Sequence, residues 1–278
     1  MHLSQFSKED WRFLTVVAAL LAGVSAGFLS WILSGGHWGA TTAGGILGGF
    51  SIGILLALLG SFNLKVNDIR KEMHREHASL REMTNIRPLI DGPPLDYGGW
   101  AMDPHLGKTL AQVISRHNPK CILECGSGTS TVFMAQRVML EEGGGQVYAL
   151  EHLERFARET RLKVSDHGLD RYAEVVTAPL RIWDVDGDER PWYGIDPDRL
   201  KQIPSIDLLV VDGPPKETSD KARYPALPIL SDRISEECVV ILDDGDRDEE
   251  MKIAKEWARN FDMEATYISG GKGGWILQ

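Results

Sequence analysis

The chain has 278 residues, of which 43% are hydrophobic and 25% are charged. This length allows one catalytic domain of ordinary size with an accessory segment, and it excludes two large domains. The formal net charge of −10 at pH 7 argues against nucleic acid as a partner, because phosphate binding needs a concentrated basic surface. The three cysteines do not make a zinc-type pair of C-x-x-C motifs, so we expect buried thiols in a reducing compartment.

Two apolar runs without a single Asp, Glu, Lys or Arg open the chain, at residues 13–33 and 40–62. Each has about the 20 residues that a helix needs to cross a bilayer. A cleaved signal peptide would explain the first run but not the second. Lys8 and Arg12 precede the pair and Lys65 begins a basic stretch behind it, whereas the joining loop has no lysine or arginine. We therefore predict a transmembrane helical hairpin, residues 1–62, in the cell inner membrane, with both termini in the cytoplasm.

Residues 63–90 are predicted to form a juxtamembrane helix. Apolar residues occupy the a and d positions of one heptad frame from Leu59 to Met83, with Glu76 as the only break. This spacing is typical of a short coiled coil, and equally of a single helix that packs on the following domain. Small residues also repeat every four positions in both apolar runs, which favours close helix packing. The expected partners are therefore membrane lipids and a second copy of the chain.

In residues 91–278, short apolar segments alternate with amphipathic ones. The alternation predicts an α/β fold, with a parallel sheet covered by helices on both faces. We predict strands at 121–124, 146–150, 173–177, 206–211, 238–242, 264–268 and 274–277, and helices at 129–140, 153–167, 226–234 and 246–260. Ligands bind such sheets at the carboxyl ends of the strands, so the residues that follow each strand are the informative ones.

A glycine-containing turn follows the first predicted strand, from Glu124 to Gly128. Its glycines allow tight geometry and close approach of a ligand. A dinucleotide-binding loop would prefer a third glycine at Thr131, because its helix must approach a pyrophosphate. Glu124 suits the cationic methionine end of S-adenosylmethionine, and Glu151, after the second strand, can accept hydrogen bonds from ribose hydroxyls. The sequence therefore favours S-adenosylmethionine over a nicotinamide dinucleotide.

Five motifs lie at or near the predicted strand ends. They are Leu123 to Thr131, Glu151-His152, Val211 to Pro215, Arg223 to Leu227, and Leu242-Asp243-Asp244. Together they resemble the class I S-adenosylmethionine-dependent methyltransferases over residues 100–278. The resemblance implies a Rossmann-like sheet and methyl transfer from S-adenosylmethionine. The cofactor-binding residues that we predict are Glu124, Gly126, Ser127, Gly128, Thr129, Ser130, Glu151 and Asp212.

Three carboxylates, Asp212, Asp243 and Asp244, follow the fourth and fifth main strands. In one site they would repel each other unless a cation joined them, and Mg²⁺ or a similar divalent ion prefers oxygen ligands. Metal-dependent O-methyltransferases of the class have a similar arrangement, so the resemblance implies a metal ion at these three residues. A helix cap at Asp243 or Asp244 is the alternative.

Asp212, Lys216 and His105 are the candidate catalytic residues. Methyl transfer requires that the acceptor be held in line and lose its proton. Lys216 is close to the position of a base in the metal-dependent relatives, with one residue more in the spacing, and His105 precedes the first helix of the domain. Residues 182–203, which include two tryptophans, are expected either to shape an acceptor pocket or to pack those rings beneath the loop.

These features predict a membrane-anchored methyltransferase. We expect it to methylate a hydroxyl of a sugar, a lipid-linked glycan or a lipophilic compound at the cytoplasmic membrane face, where an anchor raises the effective concentration. The alternative is a membrane-bound oligomeric scaffold that keeps the fold for interaction, and the intact turn from Glu124 to Gly128 argues against it. A nicotinamide-dependent oxidoreductase is disfavoured by Thr131.

Overall fold

The computed structural model describes residues 25, 28–29, 31–33 and 35, helix α1 (Ala40–Ile86) and residues 102–278. The chain falls into two compact units, Met1–His74 and Arg75–Gln278. The first predicted membrane span, residues 13–33, lies largely outside the described residues, and the second forms the first half of α1. In the described residues, no helix combines the length and the apolar character needed to cross a membrane. The membrane hairpin and the domain bounds therefore stay predictions.

The second unit contains a seven-stranded sheet and a two-stranded one. The strands are β1 (Cys121–Cys125), β2 (Gln146–Glu151), β3 (Ala173–Thr177), β4 (Leu180–Val185), β5 (Asp188–Tyr193), β6 (Ile206–Val211), β7 (Ile234–Asp243), β8 (Ala265–Ile268) and β9 (Gly274–Leu277). The helices are α2 (Pro104–His117), α3 (Thr129–Leu140), α4 (Glu154–Asp166), α5 (Pro197–Gln202), α6 (Ala226–Leu230) and α7 (Asp248–Asn260). The main sheet has the order β3-β2-β1-β6-β7-β9-β8.

The first five strands of this order are parallel, and β9 pairs antiparallel with both β7 and β8. Neighbouring residues of one strand enter different cores: Ile122 belongs to the cluster under α2, α3 and α4, and Leu123 to the cluster under α6, α7 and β5. This follows from the alternation of side chains along a strand. Since both faces are covered, the central strands are mostly apolar, and Glu124 is a buried acid within β1. The Rossmann-like α/β fold is confirmed.

Residues 182–203, which the sequence predicts to be a long loop, contain regular secondary structure. Most of this segment forms the hairpin β4–β5 and helix α5. Trp192 and Tyr193 are fully buried and belong to one of the two main cores, so the packing interpretation of this segment is right for Trp192. The predicted helix at 226–234 is also shorter in the structure, because α6 ends at Leu230 and a 3₁₀ turn, Ser231–Arg233, leads into β7.

The strand order reverses between β1 and β6. From β1 the chain builds β2 and β3 on one side, and it then returns to place β6 and β7 on the other. In doubly wound sheets, a crevice opens outside the carboxyl ends of the two strands at this point. Residues after β1, β2, β6 and β7 therefore converge on one edge of the sheet, and they include the acids that the sequence singled out.

Candidate active site

The loop after β1 is shaped by Gly126. Its φ is +118°, a conformation that L side chains rarely adopt, and a Cβ there would lie 3.7 Å from the carbonyl carbon of Asp212. The Gly126 N–H donates to the carbonyl of Leu150 at 2.9 Å, which ties the loop to β2. A Cβ on Gly128 would meet no atom within 4 Å, so that residue borders open space. The loop thus fits a ligand that approaches the backbone closely, as the methionine part of S-adenosylmethionine would.

Glu124 differs from its predicted role. Its side chain is 1% exposed and accepts hydrogen bonds from the hydroxyls of Ser130 and Thr131 in the first turn of α3. Thr131 also accepts from the Gly128 N–H at 3.0 Å, and it thereby caps the helix. Burial raises the pKa of Glu124 to about 8 from 4.5, although the two hydroxyl donors oppose the rise. Glu124 and Ser130 therefore hold the loop to α3 from inside, and direct contact with the cofactor is not what the structure gives them.

The buried carboxyl of Glu124 makes the free energy of unfolding depend on pH. The folded chain holds the proton of this carboxyl more tightly than the unfolded chain does. The contribution of Glu124 to the free energy of unfolding therefore falls as the pH rises from about 4.5 towards 8. Glu124→Gln resembles the protonated acid and removes the dependence. We expect the variant to gain stability relative to the original chain by at least about 1 kcal/mol between pH 5 and pH 8. Urea unfolding at both pH values measures this difference, and equal differences at the two would contradict it.

Glu151 ends β2 and faces the glycine loop. Its Oε1 accepts from the Leu153 N–H at 3.0 Å and lies 3.0 Å from Nδ1 of His152, and its Oε2 accepts from the Ser127 hydroxyl at 3.2 Å. Burial acts to raise the pKa of Glu151, but the interactions with His152, Leu153 and Ser127 outweigh it and lower the pKa. An ionised carboxylate therefore stands beside Gly126 and Gly128, where it suits the ribose hydroxyls of a nucleoside.

The three aspartates after β6 and β7 meet as predicted. One carboxylate oxygen of each lies within 4.8 Å of the others. A guanidinium already joins two of them, because Arg223 donates to Oδ1 of Asp212 at 3.0 Å and to Oδ2 of Asp244 at 2.6 Å. Arg247 adds a second contact to the same oxygen of Asp244, at 2.9 Å. Arg223 and Arg247 thus supply positive charge beside these carboxylates.

The guanidinium of Arg223 opposes a divalent ion bound by these three aspartates. An ion bound to these oxygens at about 2 Å would lie roughly 4 Å from the buried guanidinium, and repulsion there is on the order of 8 kcal/mol at an effective dielectric of about 20. The assignment of a metal ion to Asp212, Asp243 and Asp244 therefore stays a prediction, which the buried guanidinium of Arg223 opposes. The three carboxylates lie close together, but the positive charge of Arg223 already reduces the repulsion between them.

Asp243 differs from its two neighbours. Its contact with Arg223 is through the main-chain carbonyl, at 2.9 Å, and its side chain lines a small pocket. Burial, together with the charges of Asp212 and Asp244, raises the pKa of Asp243 well above its ordinary value. The pKa of Asp212 is also raised, with burial as the largest cause, so burial and mutual repulsion favour the neutral form of a carboxyl group in this cluster.

The pocket beside Asp243 lies between the start of α2 and the turn from β8 to β9. His105, Thr109 and Lys272 line it with polar groups, and Leu106 and Ile268 are among its apolar walls. The main-chain N–H of His105 donates to Oδ1 of Asp103 at the helix N-terminus, 2.8 Å away. Its Nε2 is buried and has no hydrogen-bond partner among the described residues. A hydroxyl group bound here would satisfy that nitrogen.

The structure brings His105 towards Asp243 but leaves Lys216 apart from the cluster. Lys216 is exposed in the single 3₁₀ turn Lys216–Thr218, and among the described residues it makes no hydrogen bond to the three aspartates. Thr129 is 3% exposed in the first turn of α3 and supports the glycine loop from within. Roles for Lys216 as a base and for Thr129 in cofactor binding stay predictions.

Arg223 is the functional residue that sequence reasoning missed. It lies in the motif Arg223 to Leu227, which the sequence analysis used for the resemblance and gave no role. A charge count offered a signal, because three acids gathered at strand ends need a compensating cation within the fold. Lys272 was missed for a different reason, since nothing in the chain order shows that the β8–β9 turn reaches the start of α2.

The chain is similar to several methyltransferases. Residues 123–245 match the family described as "Methyltransferase domain". The fold is that of the O-methyltransferase TomG of Streptomyces achromogenes, solved in complex with SAM, with a TM-score of 0.52 and 16% identity over 73% of this chain and 96% of that one. An O-methyltransferase from Bacillus cereus in complex with SAH has a TM-score of 0.46 and 21% identity, over 72% of this chain and 88% of that one. A methyltransferase from Geobacter sulfurreducens has a TM-score of 0.49 and 15% identity, over 64% of this chain and 80% of that one.

No curated protein matches the chain. The family match spans the glycine loop, Glu151, the three aspartates and Arg223, so it covers the crevice described above. Residues 123–245 are therefore similar to a methyltransferase domain, in agreement with the enzyme class that the sequence predicts.

Proposed function

We propose that this protein transfers the methyl group of S-adenosylmethionine to a hydroxyl oxygen. The observation that supports the proposal most is the position of the pocket. Asp243 ends β7 and pairs with Gly274 of β9, one strand beyond β6 and two beyond the glycine loop. Neighbouring strands are about 4.8 Å apart, so an acceptor in the pocket lies beside the methionine end of a nucleoside held at β1 and β2.

Each group has a defined part in this proposal. The loop at Gly126 and Gly128 admits the cofactor, and Glu151 holds its ribose. S-adenosylmethionine, when bound, supplies a methyl group made electrophilic by the sulfonium sulfur. His105 binds the acceptor hydroxyl through Nε2, and this nitrogen receives the proton as the oxygen attacks the methyl carbon. The fixed walls of the pocket hold the oxygen in line, which is the larger part of the catalytic effect.

The acceptor type is tested by following the methyl group. The full chain is incubated with methyl-labelled S-adenosylmethionine and with lipid and polar extracts of the cells that make it. We expect label in a product that survives mild alkali, because methyl ethers are stable to alkali whereas methyl esters release methanol. Label that is released by alkali would overturn transfer to a hydroxyl. Absence of cofactor binding by the folded chain would overturn the whole proposal.

We propose further that the enzyme works at the cytoplasmic face of the cell inner membrane, on a sugar, lipid-linked glycan or lipophilic hydroxyl compound. The support is the sequence of the two apolar runs, residues 13–33 and 40–62, with basic residues on both sides. Resistance of the full chain to extraction of the membrane by alkaline carbonate is the deciding measurement. Release of the chain into the soluble fraction would overturn the anchor and remove the reason for a lipid-linked acceptor.

A second copy of the chain is the partner that we propose for α1. Large apolar side chains of the predicted heptad frame are about half exposed or more in this helix: Leu59, Phe62, Ile69, Met73 and Leu80. Pairing of two such stripes would bury them. Light scattering of the detergent-solubilised chain distinguishes a dimer from a monomer, and a monomer at all concentrations would overturn the pairing.

A further inference from the structure

Arg223 contacts main-chain carbonyls of the site as well as two carboxylates. It is 4% exposed, and its Nη2 also donates to the main-chain carbonyl of Asp212 at 3.1 Å. Its Nη1 donates to the main-chain carbonyl of Asp243 at 2.9 Å. One guanidinium therefore contacts all three residues that the sequence assigned to a metal ion, and it joins the carboxyl ends of β6 and β7.

We propose that Arg223 takes the place of a divalent ion, so that this methyltransferase works without a metal. A guanidinium keeps its positive charge at every accessible pH, and its planar fork matches carboxylate oxygens. It binds the carboxylates of both Asp212 and Asp244 and fixes their positions. Asp243 remains as a residue that lines the pocket. Arg223 is thus a positioning residue, and it acts on the acceptor through the aspartates that it holds.

The surroundings of Arg223 favour a built-in cation over an incidental contact. Four hydrogen bonds hold this buried guanidinium, three through Nη2 and one through Nη1, and its Nε has no hydrogen-bond partner among the described residues. Arg247 also contacts Oδ2 of Asp244, at 2.9 Å, so that oxygen is shared between two guanidinium groups. The acceptor proton must then be taken by the chain's own groups, and this consequence rests on the proposed function.

Manganese binding tests the inference without any turnover. The full chain is freed of metal by dialysis against a chelator and titrated with Mn²⁺, and free Mn²⁺ is measured by electron paramagnetic resonance. We expect no stoichiometric binding at millimolar Mn²⁺, with or without S-adenosylmethionine. Binding of one Mn²⁺ per chain that is displaced by Mg²⁺ and lost in Asp243→Asn would overturn the inference.

Replacement of Arg223 tests its role directly. Arg223→Met keeps the length of the side chain and removes the charge, so we expect it to gain Mn²⁺ affinity at least tenfold. Arg223→Lys keeps the charge and is expected to exclude Mn²⁺ as the original chain does. Arg155→Met is the matched control, because the Arg155 side chain is 80% exposed and pairs with Glu159 alone in the same helix. A folded Arg223→Met chain with no gain in affinity overturns the inference.

These outcomes are separate from those of the proposed function. Methyl transfer can be confirmed while Mn²⁺ binds at the three aspartates, which would remove only the metal-free site. Failure of the chain to bind S-adenosylmethionine would remove the reaction and leave the Mn²⁺ result unaffected. Should Arg223→Met fail to fold, the titration of the original chain still decides the question.

Discussion

Replacement of Gly126 by valine is expected to abolish binding of S-adenosylmethionine while the sheet stays folded. Gly126 has φ +118°, where a β-branched residue is strained by about 1–3 kcal/mol. Its Cβ would lie 3.7 Å from the backbone of Asp212, and the remaining valine atoms would enter the crevice between β1 and β6. We expect the affinity to fall by about a hundredfold or more, which corresponds to roughly 2.7 kcal/mol. Isothermal titration calorimetry with S-adenosylmethionine measures the change.

Gly168→Val is the matched control for this experiment. Gly168 also has a positive φ, +67°, and it follows α4, where a Cβ would meet no atom within 4 Å. The control variant therefore also places valine at a positive φ but leaves the crevice open. We expect it to bind S-adenosylmethionine as the original chain does. Equal affinities of the Gly126 variant and the original chain would place the cofactor elsewhere.

The central strands could be predicted because burial on both faces leaves an uninterrupted apolar run. Residues 208–211 are such a run within the strand Ile206–Val211, and the predicted bounds of that strand match the structure. The hairpin β4–β5 could not be predicted in this way, because Asp188–Tyr193 begins with three charged residues and a proline and has no alternation. It forms because Trp192 and Tyr193 pack into the core, and that contact depends on residues distant in the chain.

Some residues of the candidate site could be predicted from the sequence and others could not. Gly126, Glu151 and the three aspartates could be placed because each follows a strand, and strand ends of a parallel sheet share one edge. Arg223 is 11 residues from Asp212 and 21 from Asp244, on no strand end, and only the tertiary fold turns it inwards. Glu124 was assigned to the cofactor because the sequence cannot show that Ser130 and Thr131 satisfy both of its oxygens.

Asp244→Asn is expected to lower the free energy of unfolding by about 2–4 kcal/mol. The Asp244 side chain is 6% exposed, and its Oδ2 contacts Arg223 at 2.6 Å and Arg247 at 2.9 Å. Asparagine keeps the shape and tolerates the left-handed backbone at this position, φ +57°. The variant therefore removes the charge alone and leaves the buried guanidinium of Arg223 with one carboxylate fewer. Urea unfolding at pH 7 measures the loss.

Asp243→Asn, one position earlier, makes the same chemical change in an equally buried residue, and we expect it to alter stability by less than about 1 kcal/mol. Burial and the nearby acids raise the pKa of Asp243 well above its ordinary value, which favours the neutral carboxyl that asparagine resembles. Arg223 reaches this residue through the main-chain carbonyl, which the substitution keeps. If the two variants lost equal stability, the assignment of Arg223 as the cation of Asp244 would be wrong, because simple loss of a buried carboxyl would then explain both.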